Sequence, residues 1–236
     1  MGECLTMQTI QLLGIRLKDH SKWESLGIAE RFLKNRALRL VLYVNSKELT
    51  LASKDAGLKQ FIEQADLTLW STTELVQVAG LKNAGRHREV ENREFLKELL
   101  QRLAKNHLAV AVVSDSEEKA LLLKQELLEM QDKLSIVSCF PIGASGVSVE
   151  QDVNRLNGVT PAIVIARMPI GAQYSWLEEA KHMVNTGIWM ALPEDMVINR
   201  KTQSLWHKWG QKIKHVVFRK RVMKYNDTTE TNKTDS

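Results

Sequence analysis

Few residues in this chain combine the type and the spacing that chemistry demands. Gly143-Ala144-Ser145-Gly146 follows an expected strand at 134–139 and forms half of a GxGxxG phosphate cradle. With only half the pattern present, a plain turn is the better reading. GxxxxGK[ST], HExxH and GxSxG do not occur, so a P-loop, a His-pair zinc helix and a nucleophile elbow are not expected. His107 stands alone at a strand start, and His182 lies on a helix without an acidic partner. Cys4 and Cys139 are too few for a disulfide framework or a cysteine-built metal site. The residues call for no cofactor and no metal.

The most distinctive chemistry lies near the C-terminus. Residues 200–224 carry nine Lys/Arg and no Asp/Glu, whereas residues 1–199 hold 23 Lys/Arg and 25 Asp/Glu. The overall charge of +5 is therefore a nearly neutral body with a basic tail. On a helical wheel Trp206, Trp209, Ile213, Val216 and Val217 share one face, flanked by Lys208, Lys212, Lys214 and Arg219. Tryptophan beside lysine suits an anionic membrane surface, where each cation contributes about 1 kcal/mol. Two other readings stay open: an apolar stripe packed on the body beneath solvated lysines, and a nucleic-acid or protein partner. Nucleic acid is the weaker of these, because no basic stripe with stacking aromatics occurs elsewhere.

These residues need a scaffold, and the rest of the chain describes one. Its 236 residues are 44% hydrophobic and 26% charged, ordinary globular usage that excludes wholesale disorder and low complexity. No apolar run reaches the ~18–20 residues of a membrane span. Met1-Gly2-Glu3-Cys4-Leu5 lacks the basic-then-apolar order of a secretory signal, so a reducing cytoplasm is the expected compartment. Buried strands are expected at 38–44, 67–70, 107–113, 134–139, 161–166 and 187–192, and an edge strand within 6–17. Helices are expected at 21–37, 53–65, from 74, and at 94–105, 117–130, 149–156, 174–185 and 204–224. Ser21 with Glu24 forms a capping-box pair, Ser114-Asp115-Ser116 supplies an N-cap, and 82–92 reads as a surface loop. Strands alternating with helices predict an α/β fold: a mostly parallel, Rossmann-like sheet with helices on both faces. The expected domains are an α/β body at 1–195, a basic amphipathic helical appendage at 196–224 and a disordered tail at 225–236.

The order of segments resembles the WecG/TagA/CpsF family of bacterial glycosyltransferases, membrane-associated enzymes of surface-polysaccharide and teichoic-acid synthesis. The resemblance runs through Leu42-Tyr43-Val44-Asn45-Ser46-Lys47-Glu48-Leu49, Ala65-Asp66-Leu67-Thr68-Leu69 and Phe95-Leu96-Lys97-Glu98-Leu99-Leu100. It continues through Ala109-Val110-Ala111-Val112-Val113 and Ile163-Val164-Ile165-Ala166-Arg167-Met168-Pro169, and reaches the basic tail. It covers roughly residues 8–224 and is one of layout and hydrophobic pattern.

The family's polar signatures map unevenly. Its strand-end asparagine is Asn45, while its Asp-Gly pair, whose aspartate is the proposed general base, falls on Ser71-Thr72. Its Gly-Ser-Pro-Lys-Gln-Glu block falls on 167–172 and keeps only Pro169, with Arg167 in place of the glycine. Its glycine pair falls on Ser114-Asp115, and its arginine before the next helix has stand-ins in Arg86, Arg88 and Arg93.

The resemblance implies two readings. In one, a divergent glycosyltransferase moves sugar from a UDP donor to a lipid-linked acceptor. Asn45, Arg167 and Arg88 then bind substrate, Glu74 substitutes for the base lost at Ser71, and Arg219 with Arg221 hold diphosphate. In the other, a non-catalytic relative binds a lipid-linked glycan, a nucleotide sugar, an active glycosyltransferase or itself, as an accessory subunit. The missing carboxylate favours the second reading. Both place the protein in envelope or exopolysaccharide production, peripheral at the inner face of the cytoplasmic membrane, with Trp206, Trp209, Lys208, Lys212 and Lys214 as membrane contacts.

Overall fold

The computed structural model describes residues 8–198 apart from Arg36, Lys82 and Asn83. The expected appendage at 196–224 lies almost wholly outside the described residues, as do the expected tail, both its tryptophans, and Arg219 and Arg221.

Strands β1 (Gln8–Leu12) and β2 (Ile15–Asp19) form an antiparallel hairpin that is a sheet of its own, not a single edge strand. Leu13 and Gly14 both take positive φ (51° and 76°) in the two-residue turn, the backbone that a tight hairpin needs. Helix α1 (Lys22–Lys34) starts at the expected capping box, with Ser21 N donating to Glu24 Oε2 at 2.8 Å. Then follow β3 (Arg39–Val44), α2 (Ser46–Ala52), α3 (Ala56–Glu63), β4 (Leu67–Trp70) and α4 (Thr73–Val78). The second half contains α5 (Ala84–Glu91), α6 (Glu94–Lys105), β5 (Ala109–Ser114), α7 (Glu117–Met130) and β6 (Ser135–Pro141). It ends with α8 (Val149–Asn157), β7 (Ile163–Arg167), α9 (Ile170–Ala180) and β8 (Ile188–Leu192).

Three expectations need correcting. The helix expected at 53–65 forms as α3, started at 56 because the Asp55 carboxylate caps it by accepting from Leu58 N at 2.9 Å, and a separate helix, α2, that was not expected precedes it. The helix expected at 174–185 begins four residues earlier, directly behind Pro169, and ends at Ala180. The loop expected at 82–92 is largely helix α5. That helix buries only Val90 and has no apolar stripe to announce it. Arg86 secures it instead, paired with Glu89 at 2.6 Å and with Asp19 of the hairpin.

The six remaining strands form one all-parallel sheet in the order β4-β3-β8-β7-β5-β6. Alternate residues feed two cores, as a parallel sheet covered on both faces requires. Leu42, Val44, Val164, Ala166 and Trp189 face α2, α3, α8 and α9, together with the hairpin. Val41, Tyr43, Ile163, Ile165 and Met190 face α1, α6 and α7. The hairpin also covers the β4 edge: Thr68 Oγ1 donates to Lys18 O at 2.9 Å and Trp70 Nε1 to Asp19 Oδ1 at 2.7 Å. Met196 and Ile198, just past β8, are buried in the second core.

Candidate functional site at the carboxyl edge of the sheet

Because all six strands run the same way, their carboxyl ends and following loops gather along one edge. Chain direction reverses there: β5 leads outward to β6, whereas β7 leads back to β8. Such switch points open the crevice that ligands use in open α/β sheets.

At the β3–β4 end of this edge, Asn45 and Ser71 directly follow two neighbouring strands, whose last residues Val44 and Trp70 are paired. Asn45 caps α2, accepting from Glu48 N through Oδ1 at 2.7 Å. Its Nδ2 donates to Asp195 Oδ1 at 2.8 Å, drawing in the loop after β8. Glu48 completes the capping box and is 4% exposed. Burial pushes its carboxyl up to about 8, opposed by the Asn45 N–H and reinforced by the Asp195 charge. The Asn45–Glu48–Asp195 cluster was not anticipated as a unit. The Asn-x-x-Glu spacing after a buried strand was its visible half; the contact with Asp195 spans 150 residues and has no local signal.

Ser71, on which the expected base position falls, is 2% exposed, and its hydroxyl donates to Val44 O at 2.7 Å. The same carbonyl accepts from Ser71 N at 3.0 Å. The Ser71 carbonyl in turn accepts from the Arg93 guanidinium. Arg93 stands at the head of α6 with φ 55° and also reaches Val197 O through Nε at 3.4 Å. Of the three arginines weighed for this role, Arg93 is the one that touches the turn after β4. Arg86 is tied to Asp19 and Glu89, and Arg88 is exposed on α5. Glu74, in the first turn of the six-residue helix α4, is exposed at the rim. Beside it, the Thr72 hydroxyl is buried with no hydrogen-bond partner among the described residues.

At the β5–β7 crevice, Ser114 Oγ donates to Arg167 O, clamping the two strand ends together. Arg167 falls on the same strand face as Ile163 and Ile165, so its side chain turns under α7. Its guanidinium pairs with Glu126 Oε2 at 2.7 Å and also donates to Met196 O at 3.3 Å, with Arg167 4% exposed and Glu126 2%. Further along the edge, Lys119 links Asp115 (2.7 Å) to Glu194 (2.8 Å). Among the described residues no group of three or more His, Cys, Asp or Glu could hold a metal, and no helix is long and apolar enough to cross a membrane.

A parallel sheet with helices on both faces and its polar loops collected at the carboxyl edge defines an open, doubly wound α/β protein. Within that class, the model of the glycosyl transferase WecG/TagA/CpsF family matches residues 10–194, and the chain belongs to this family. No curated protein matches it. Membership supports a glycosyltransferase-like role in cell-envelope polysaccharide synthesis, with UDP-sugars and lipid-linked acceptors as the general substrate classes.

Proposed function

We propose that this chain is a family member that has lost sugar transfer and serves envelope or exopolysaccharide synthesis as an accessory subunit, binding a nucleotide sugar or lipid-linked glycan. The observation that carries this reading is Ser71. A transferase of this kind needs a base for the acceptor hydroxyl proton. Ser71 is no carboxylate, and its proton is already committed to the Val44 carbonyl. Among the described residues no base is bonded to its hydroxyl, which donates to the Val44 carbonyl instead. Arg167 supports the same reading, since its charge is spent on buried Glu126 rather than on a departing diphosphate. Asn45 and Arg93 remain at the edge as groups that position a ligand. The appendage holds the protein at the inner face of the cytoplasmic membrane through Trp206, Trp209 and the lysines beside them.

One observation favours a second reading, an active enzyme with a substituted base. Asp195 and Glu74 are exposed carboxylates at this edge, and Asp195 is bonded to Asn45. The two readings separate in a paired experiment: calorimetry with UDP and UDP-N-acetylhexosamines, then radiolabelled transfer to a lipid-diphosphate acceptor. Binding without turnover is expected. Turnover above a protein-free blank that falls in Asp195→Asn or Glu74→Gln overturns the proposal. Absence of heat with every nucleotide sugar and every lipid-linked glycan overturns the ligand assignment. The membrane assignment predicts that truncation after Asn199 abolishes flotation with anionic liposomes while the melting curve is kept; equal flotation of both forms refutes it.

A further inference from the structure

A cavity of about 280 Å³ lies at the opposite, amino-terminal edge of the sheet, between α3 and α9 and above the starts of β3 and β8. None of its lining residues takes part in the carboxyl-edge cluster. We propose that this cavity is a binding site for a neutral sugar ring, a hexose or N-acetylhexosamine unit of a glycan.

Its aromatic wall is built by Phe61, Tyr174 and Trp189. The Phe61 and Tyr174 rings meet at 5.4 Å with a 55° tilt, and Trp189 is backed by Trp176, stacked at 4.9 Å. Phe61 and Trp189 are buried behind this wall (9% and 0% exposed), so the half-buried Tyr174 ring is the aromatic face that meets the C–H face of a pyranose, and it adds a phenolic hydroxyl. Tyr174 reaches its position because α3 carries Gly57 there: a Cβ on Gly57 would lie 2.7 Å from Tyr174 Oη. Gln60 and Gln64 project their amides from α3, each supplying donors and an acceptor, the complement that sugar hydroxyls require.

The charges around the cavity exclude an anion. Asp66 is held by Arg39 Nη1 at 3.0 Å and Leu40 N at 2.9 Å, and Glu178 by Lys181 Nζ at 3.0 Å. Among the described residues Lys181 is the one cation lining the cavity, and its pair with Glu178 neutralises it. The C-terminal turns of α3 and α9 border the cavity through Gln60, Phe61, Leu177 and Lys181, where terminal carbonyls favour donors and repel negative charge. The volume lies just below the ~300–1,000 Å³ typical of drug-sized sites, which suits one ring rather than a nucleotide sugar. The inference is independent of whether transfer chemistry survives at the carboxyl edge.

The test follows tryptophan fluorescence and calorimetry of the full chain with glucose, N-acetylglucosamine and N-acetylgalactosamine, and with UDP and inorganic phosphate as anionic controls. A saturable response to at least one neutral sugar is expected. Gln60→Ala with Gln64→Ala, two exposed positions whose loss leaves the core intact, weakens it about tenfold, the cost of roughly two neutral hydrogen bonds. Gly57→Ala displaces Tyr174 and weakens it independently. Asp195→Asn leaves it unchanged, which separates this site from the carboxyl edge. No saturable response to any neutral sugar, a response untouched by the glutamine double variant, or competition by phosphate overturns the proposal.

Discussion

Arg167 offers the sharpest test of whether family chemistry or core structure now governs the β7 end. Its guanidinium is 2.7 Å from Glu126 Oε2 in the layer between the sheet and α7, and both residues are under 5% exposed. Glu126 Oε1 has no partner among the described residues, so the pair is incompletely satisfied. Removing one member of a buried ion pair strands the other charge and costs about 3–5 kcal/mol. Arg167→Met and Glu126→Leu should each destabilise by that amount, which for a body of this size lowers the melting temperature by about 6–20 °C. The double variant replaces both charges with apolar groups of similar length and should return to within about 1 kcal/mol of the parent, or exceed it. Urea unfolding of the four proteins closes a cycle in which a double variant far less destabilised than the sum of the singles marks a buried pair. If Arg167→Met instead costs under about 1 kcal/mol while abolishing stabilisation by UDP-sugar, the side chain serves the ligand and the reasoning fails.

Three further predictions follow from other parts of the molecule. Glu48, titrating near 8 when folded against 4.5 in the free residue, binds a proton that the unfolded chain releases. Its contribution is therefore full below about pH 4.5 and declines as pH rises to about 8, with a ceiling of about 5 kcal/mol. Glu48→Gln should flatten the fall in urea midpoint between about pH 5 and pH 8, and an unchanged slope would show the carboxyl to be ionised. Gly187 lies against backbone: an added Cβ would stand 2.8 Å from Phe32 O and 3.2 Å from Asn35 O, so Gly187→Ala should cost about 1–3 kcal/mol in chemical unfolding. Trp70→Phe deletes the bond to Asp19 and should cost about 1.5–3 kcal/mol, with faster amide exchange confined to the β1–β2 hairpin.

The layout of this fold is legible in the chain because each buried strand is a short apolar run and most helices carry an apolar stripe or a cap. Val110 to Val113, all fully buried, show this at its plainest, and Ser21 with Glu24 marks α1 to the residue. Legibility fails where an element is held by distant charge rather than its own pattern. Helix α5 has no periodic stripe; Arg86 reaches 67 residues back to Asp19, a contact that no window along the chain can register.

The same distinction explains why the hydrophobic frame of the family is the part of this chain that the sequence displays most plainly. The hydrophobic alternation of β3, β5, β7 and β8 is constrained by two cores at once, so a change on either face leaves a cavity or a clash. The carboxyl edge is constrained by single polar contacts, such as Asn45 to Asp195 and Arg167 to Glu126, rather than by two cores at once. On the accessory-subunit reading proposed above, no strand-end carboxylate is needed as a base, and a small residue that satisfies its own backbone is a stable occupant. Ser71, with its hydroxyl on Val44 and its carbonyl on Arg93, is such a residue. Arg167 follows the same logic in reverse. A cation beside a buried glutamate could not remain at a solvent-facing crevice without leaving Glu126 unpaired, so fold energetics draw it beneath α7. At both positions the residue present is explained by what it does for the fold, and this is the ground on which the accessory-subunit reading is proposed.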